Sequence, residues 1–214
     1  MLNLNYGRRR ALKTRPAATR KLLMSLAIVG AAASIAGLGT YATFTSTTSQ
    51  SQTISSGTVT IALGSTGAST NRLNIGATAL APGDTIQRSV DLANSGTLDL
   101  ASVTLTTTAS PSSLLDTDTT NGLQMVIDKC SVAWTESGPP YTYTCGGTTS
   151  SVLASRAVIG SNLALSNLSS TTAGATDHLR VTLTLPSGAG NTLQNQSSTI
   201  SYAFTGTQRA ATNK

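Results

Sequence analysis

The chain has 214 residues, of which 10% are charged and 4% aromatic, and fourteen Lys and Arg against eight Asp and Glu give a formal net charge of +6. The surplus is local: seven of the fourteen cations lie within the first 21 residues, whereas the acidic residues all come from Asp84 onward. Beyond the basic tip the chain is formally −1 and nowhere interleaves Arg or Lys with aromatic residues, which excludes a nucleic-acid surface.

Arg8, Arg9, Arg10, Lys13, Arg15, Arg20 and Lys21 are followed by an Ala- and Gly-rich apolar run from Leu22 to Leu38, then by Gly39-Thr40-Tyr41-Ala42. This is the layout of an export signal, with the small residues Thr40 and Ala42 where a signal peptidase needs them. The expected cut lies between Ala42 and Thr43. A retained anchor is the competing reading, because seventeen apolar residues sit at the short end of what spans a bilayer. A twin-arginine route fits less well: the triple Arg lacks a following Phe, and the apolar run starts many residues later.

The cut leaves 172 residues, enough for one domain with its own core, and about a third of them are Ser or Thr. Residues 43–56 form a Ser/Thr-rich segment, 57–209 the expected domain and 210–214 a short tail. Along the domain, apolar and polar residues alternate with the period of strands that bury one face. Ile86, Val90 and Leu92 stand against Gln87, Ser89 and Asp91; Val103 and Leu105 against Thr104 and Thr106. From Leu179 to Leu185 every odd position is apolar, and Ile200, Tyr202 and Phe204 oppose Ser201, Ala203 and Thr205. Turn clusters at Ala81-Pro82-Gly83-Asp84, Asn94-Ser95-Gly96, Asn121-Gly122 and Ser137-Gly138-Pro139-Pro140 separate them. No helical run of comparable length follows Leu38. The pattern predicts an all-β fold, a jelly-roll-like two-sheet β-sandwich preceded by an N-terminal signal helix.

Met125 to Trp134 and Tyr141 to Cys145 read as two strands of a hairpin. Symmetric pairing about the Gly-Pro-Pro turn sets Trp134 against Tyr141, Val132 against Tyr143 and Cys130 against Cys145. Opposed residues in such a pair have Cα atoms about 4.5–5.5 Å apart, within disulfide reach, and an exported chain meets an oxidising compartment. A Cys130–Cys145 staple is therefore expected.

Catalytic groups are scarce. His178 is the single histidine, and with both cysteines committed to a bridge it cannot build a zinc site of ordinary ligand count. A Ser-His-Asp set assembled from His178, Asp177 and one of many serines lacks a Gly-x-Ser-x-Gly elbow. Asp116-Thr117-Asp118-Thr119-Thr120-Asn121-Gly122 has a faint likeness to a calcium loop, but its glycine is one place late and no Glu follows at the bidentate position. A plain turn is the better reading there. No enzyme activity, cofactor or metal is expected.

The segments Gly39–Ser46, Ser56–Ile61 and Leu80–Leu100, in this order and spacing, together with Asn195–Arg209, resemble the TasA/camelysin family of bacterial surface proteins. The likeness covers most of the chain beyond the signal and is weakest between about residues 114 and 176. It implies a jelly-roll domain that is exported, processed by a SipW-type signal peptidase and assembled into extracellular fibres of a biofilm matrix or surface layer. In such fibres the freed N-terminal segment of one subunit enters the next as a strand. Part of the family has been called a metallopeptidase, yet this chain has no His-Glu-x-x-His.

Two functional classes follow. In the first, the chain is a secreted structural subunit that polymerises with itself, with an accessory matrix or anchoring protein as a possible second partner. Its uncharged, β-prone segment Thr43 to Ile54, through Thr43, Phe44, Thr45, Thr47, Thr53 and Ile54, is the candidate donor strand. A disordered Ser/Thr linker is the plainer reading of that segment. In the second, the chain is a monomeric surface-binding or adhesion module, for which the aromatics Trp134, Tyr141 and Tyr143 would have to form an open face.

Overall fold

The computed structural model describes residues 56–213. The predicted signal, the Ala42/Thr43 cut and the donor candidates Thr43, Phe44, Thr45, Thr47, Thr53 and Ile54 lie outside the described residues. Residues Ile54–Lys214 form one compact unit, and the core of that unit is built from its own strands.

Among the described residues are ten strands, one α-helical turn and one 3-10 turn: β1 (Ile61–Leu63), β2 (Thr85–Asn94), β3 (Leu100–Ala109), α1 (Leu114–Thr117), β4 (Gln124–Cys130), β5 (Trp134–Ser137), β6 (Thr142–Cys145), β7 (Thr149–Ala157), β8 (Gly160–Ala164), β9 (Thr176–Thr184), the 3-10 turn Asn191–Leu193 and β10 (Ile200–Gln208). They form a five-stranded sheet in the order β1-β2-β9-β4-β7, a three-stranded sheet β10-β3-β8 and a two-stranded hairpin β5-β6. Every pairing is antiparallel. The chain crosses between the two larger sheets from β2 to β3, β3 to β4, β7 to β8, β8 to β9 and β9 to β10, a jelly-roll wrapping of one sheet over the other.

The alternating residues drive this arrangement. In β9, Leu179, Val181 and Leu183 point into the core while His178, Arg180 and Thr182 do not. Val90 and Leu92 from β2, Val103 and Leu105 from β3, and Met125 and Ile127 from β4 meet them and are fully buried or nearly so. Each such side chain contributes about 1.5–3 kcal/mol by leaving water. Polar residues enter this layer too. Thr107 is buried on the inner face of β3, where its hydroxyl donates to the Val158 carbonyl at 2.6 Å and accepts from the Gly160 amide at 2.9 Å. It thereby satisfies backbone groups at the β7–β8 corner, where the β3–β8 register shifts.

The two sheets differ in their outer faces. On the three-stranded sheet, cross-strand neighbours Ser201/Thr108, Ala203/Thr106, Thr205/Thr104 and Thr207/Ser102 face outward, and β3, β8 and β10 contain no charged residue. On the five-stranded sheet the outer face is covered by the β5-β6 hairpin. Tyr143 is buried there, and its main-chain N–H donates to the Gln87 side chain of β2.

That placement corrects the predicted hairpin. Trp134 opposes Cys145 and Glu136 opposes Tyr143, a register four residues away from the expected one. The reason is that β4 ends at Cys130 and residues Ser131, Val132 and Ala133 leave the sheet, with Val132 half-exposed instead of paired to Tyr143. Cys130 sits in the large sheet opposite His178 and Thr149. The Cys130–Cys145 disulfide is present, with Cα atoms 5.6 Å apart, but it fastens the foot of the hairpin to β4 and does not link two opposed residues of one hairpin.

Candidate functional site

The open side of the sandwich lies along β10. Among the described residues this strand pairs with β3 alone, so none of them pairs with its other edge. Its core-facing residues Ile200, Tyr202, Phe204 and Gly206 are only half-buried, unlike the covered inner face of β3 beside them. Facing it, β1 supplies just three residues, of which Leu63 is exposed. The mismatch between a nine-residue strand and its three-residue neighbour leaves two adjoining hollows of about 290 and 510 Å³ that share Leu73, Ile200 and Tyr202 in their walls.

The larger hollow is floored by core residues, Ile86, Leu115, Leu183 and Leu193 among them, and walled by two connections, 73–80 and 193–199. Both walls are tied down. Arg88, an inward residue of β2, donates from Nε to the Ile75 carbonyl at 2.7 Å and from Nη2 to the Gly76 carbonyl at 2.8 Å. Ser198 donates to Asp116, whose carboxylate also accepts from Ser112 Oγ at 2.6 Å and Ser113 N at 2.7 Å and so caps α1. Burial pushes the Asp116 carboxyl up, but these hydrogen bonds outweigh it and hold it below the usual carboxylate range. Burial also pushes the Tyr202 phenol up to about 12, with Arg88 pulling the other way.

The hairpin aromatics are not an open platform. Trp134 donates from Nε1 to the His178 carbonyl at 2.9 Å and stacks on Arg180, and Tyr141 lies beneath both Arg72 and Arg88. The Tyr143 hydroxyl donates to Glu136 at 2.9 Å, and Glu136 is gripped by Arg72 at 2.6 Å and 2.9 Å. The sequence pattern did not point to the Arg72–Glu136 clamp or to Arg88. Their scarcity was the only signal, each being an isolated cation or anion in a nearly neutral stretch.

His178 and Asp177, adjacent in sequence, stand on opposite faces of β9. The His178 ring Nδ1 lies 2.8 Å from Asp91 Oδ1 across the β2–β9 pair. Asp177 is buried instead, accepting from the Ser169 and Ser170 amides at 3.0 and 2.7 Å and pairing with Lys129 at 3.1 Å. The Ser-His-Asp set is therefore not assembled. The would-be calcium loop divides likewise: Asp116 caps α1, while Asp118 accepts from the Thr120 and Asn121 amides at 2.9 Å as a turn.

Against protein-family models, the chain matches camelysin metallo-endopeptidase over residues 17–213. It belongs to the camelysin family. No curated protein matches the chain.

The family description implies a metal, and the camelysin-family chain offers few donors for one. Its single histidine is paired with Asp91, and both cysteines are in the disulfide. Asp128 holds Arg180, Glu136 holds Arg72, Asp84 accepts from the Ala81 amide and Asp99 from the Ala173 amide. No three His, Cys, Asp or Glu side chains converge among the described residues, and the sequence outside them contains none of these residue types. A catalytic zinc takes three protein ligands, typically including two or three histidines. The residues present do not fit it.

Proposed function

We propose that the chain is an exported, non-enzymatic structural subunit of extracellular fibres, in a biofilm matrix or a cell-surface layer. Subunits join when segment Thr43 to Ile54 of one copy, freed by a SipW-type signal peptidase cutting between Ala42 and Thr43, adds as a strand to the open side of the next. The observation that carries this reading is β10, a nine-residue strand whose second edge is unpaired among the described residues and whose apolar inner face is half-covered beside the hollow. A free edge is normally blunted by Lys, Pro or a covering loop, and β10 has neither Lys nor Pro. An added strand would pair with its main-chain groups and cover Ile200, Tyr202 and Phe204. Twelve uncharged residues are long enough to span it, at about 3.3 Å per residue.

Sedimentation and electron microscopy of the chain from Thr43, beside the same chain lacking Thr43 to Ile54, test the reading. Fibres from the first and a folded monomer from the second are expected. Two monomers at high concentration would overturn self-assembly in favour of a monomeric surface-binding module. Identical fibres from both would overturn the donor segment while keeping the fibre.

A further inference from the structure

Arg88 is out of place for a cation. It stands half-buried on the inner face of β2, in the wall of the 510 Å³ hollow, where it is the one charged residue of the lining. Arg72, Lys129 and Arg180 each hold a carboxylate, whereas Arg88 has no carboxylate at ion-pair distance among the described residues. Its Nε, Nη1 and Nη2 donate to the carbonyls of Ile75, Gln87 and Gly76. A guanidinium has five N–H bonds, so two remain uncommitted. Burial lowers its pKa from the ordinary arginine value, as expected of a cation removed from water without a counter-ion.

We infer that this hollow is a binding site for a single-chain fatty carboxylate, with Arg88 anchoring the headgroup and the floor of Ile86, Leu183 and Leu193 taking the aliphatic tail. The volume lies within the range of about 300–1,000 Å³ usual for small-molecule sites, and an apolar floor with one fixed charge is their usual composition. Charge complementarity selects the occupant: a neutral lipid would leave Arg88 without a counter-ion, and a cationic one would be repelled. A polyanion is disfavoured by the absence of any second cation in the lining. A carboxylate fits a guanidinium through paired N–H donors. The inference does not depend on strand donation. Where both occur they compete, since the tail and an inserted strand would use the same wall at Leu73, Ile200 and Tyr202.

Calorimetry on the Ile54–Lys214 unit tests this with sodium decanoate below its micelle concentration and with decan-1-ol as the neutral comparison. Saturable one-to-one binding of decanoate, at least tenfold tighter than the alcohol, is expected. Arg88→Met should remove that preference by weakening decanoate alone, and Leu73→Trp, which narrows the hollow at its rim, should weaken both ligands. Because Arg88 also ties down the Ile75–Gly76 segment, methyl NMR of the unaltered protein provides a second readout. Decanoate-induced shifts should centre on Ile86, Leu183 and Leu193. No binding of decanoate, equal affinity for the alcohol, or shifts centred elsewhere would each overturn the inference.

Discussion

The Arg180 guanidinium carbon lies 4.4 Å from the centroid of the Trp134 ring, so the hairpin and the large sheet meet through a cation stacked on an aromatic face. The same guanidinium reaches Asp128 at 3.1 Å. Trp134 is the single tryptophan of the chain, and its fluorescence therefore reports this contact without interference.

Replacing Arg180 by Met removes the stacked charge and leaves Asp128 unpaired while keeping most of the aliphatic stem. A stability loss of about 1–2 kcal/mol is expected, with a change in Trp134 emission under native conditions. Denaturant unfolding followed by fluorescence and by circular dichroism checks it. An unchanged emission spectrum would show that the stacked geometry does not persist in solution.

The disulfide joins residues 15 apart in sequence. Closing so short a loop stabilises by about 3 kcal/mol at most. Cys130→Ser with Cys145→Ser should lower the unfolding midpoint by that amount or less and keep the strand content, with the Trp134 emission moving red as the hairpin loosens. Loss of the whole fold would show the staple to be a folding requirement.

Thr107→Val keeps the shape of the side chain and deletes the hydroxyl that serves the Val158 carbonyl and the Gly160 amide. A loss of about 1–3 kcal/mol is expected, because those backbone groups are left without a partner in a dry layer. Amide hydrogen exchange at Gly160 should accelerate more than exchange in β9. Equal acceleration everywhere would mean a purely global effect.

Acid should weaken the fold through Asp116, Asp177 and Glu136. Each is held below the ordinary carboxylate range: burial raises Asp116 and Asp177, but hydrogen bonds outweigh it in both, while Glu136 is lowered chiefly by the Arg72 hydrogen bond. A depressed native pKa means stability that is fully present above the unfolded value, about 4, and is lost as pH falls through the native one. Unfolding midpoints should thus be flat down to about pH 5 and fall below about pH 4. Asp177→Asn should flatten part of that fall. A midpoint that rises on acidification would contradict the assignment.

Much of the sandwich was legible because its strands bury one face each. The alternation of Leu179 to Leu185 and of Ile86 to Leu92 named the inward residues directly. Alternation cannot show that the opposite face is covered as well. Ser89 and Tyr143 are buried by the docking of a distant hairpin, which no local pattern encodes. The hairpin register went wrong because nothing in Lys129 to Trp134 marks where the chain leaves the sheet, and every later pairing depends on that point. The hollow was equally hidden. Its walls come from residues 73–80 and 193–199, brought together by the crossings between the sheets and not by any spacing along the chain.

Among the described residues, all four ion pairs belong to the large sheet, its hairpin and the adjoining Arg72, whereas β3, β8 and β10 contain no charged residue. The strands of the described sandwich are thus electrically one-sided. Acid and dissolved salt act on charged groups, so a change in the surrounding water alters one flank and leaves the hydroxyl-and-methyl flank as it was. Contacts made through that second flank would hold no ion pair for acid to protonate or for salt to screen.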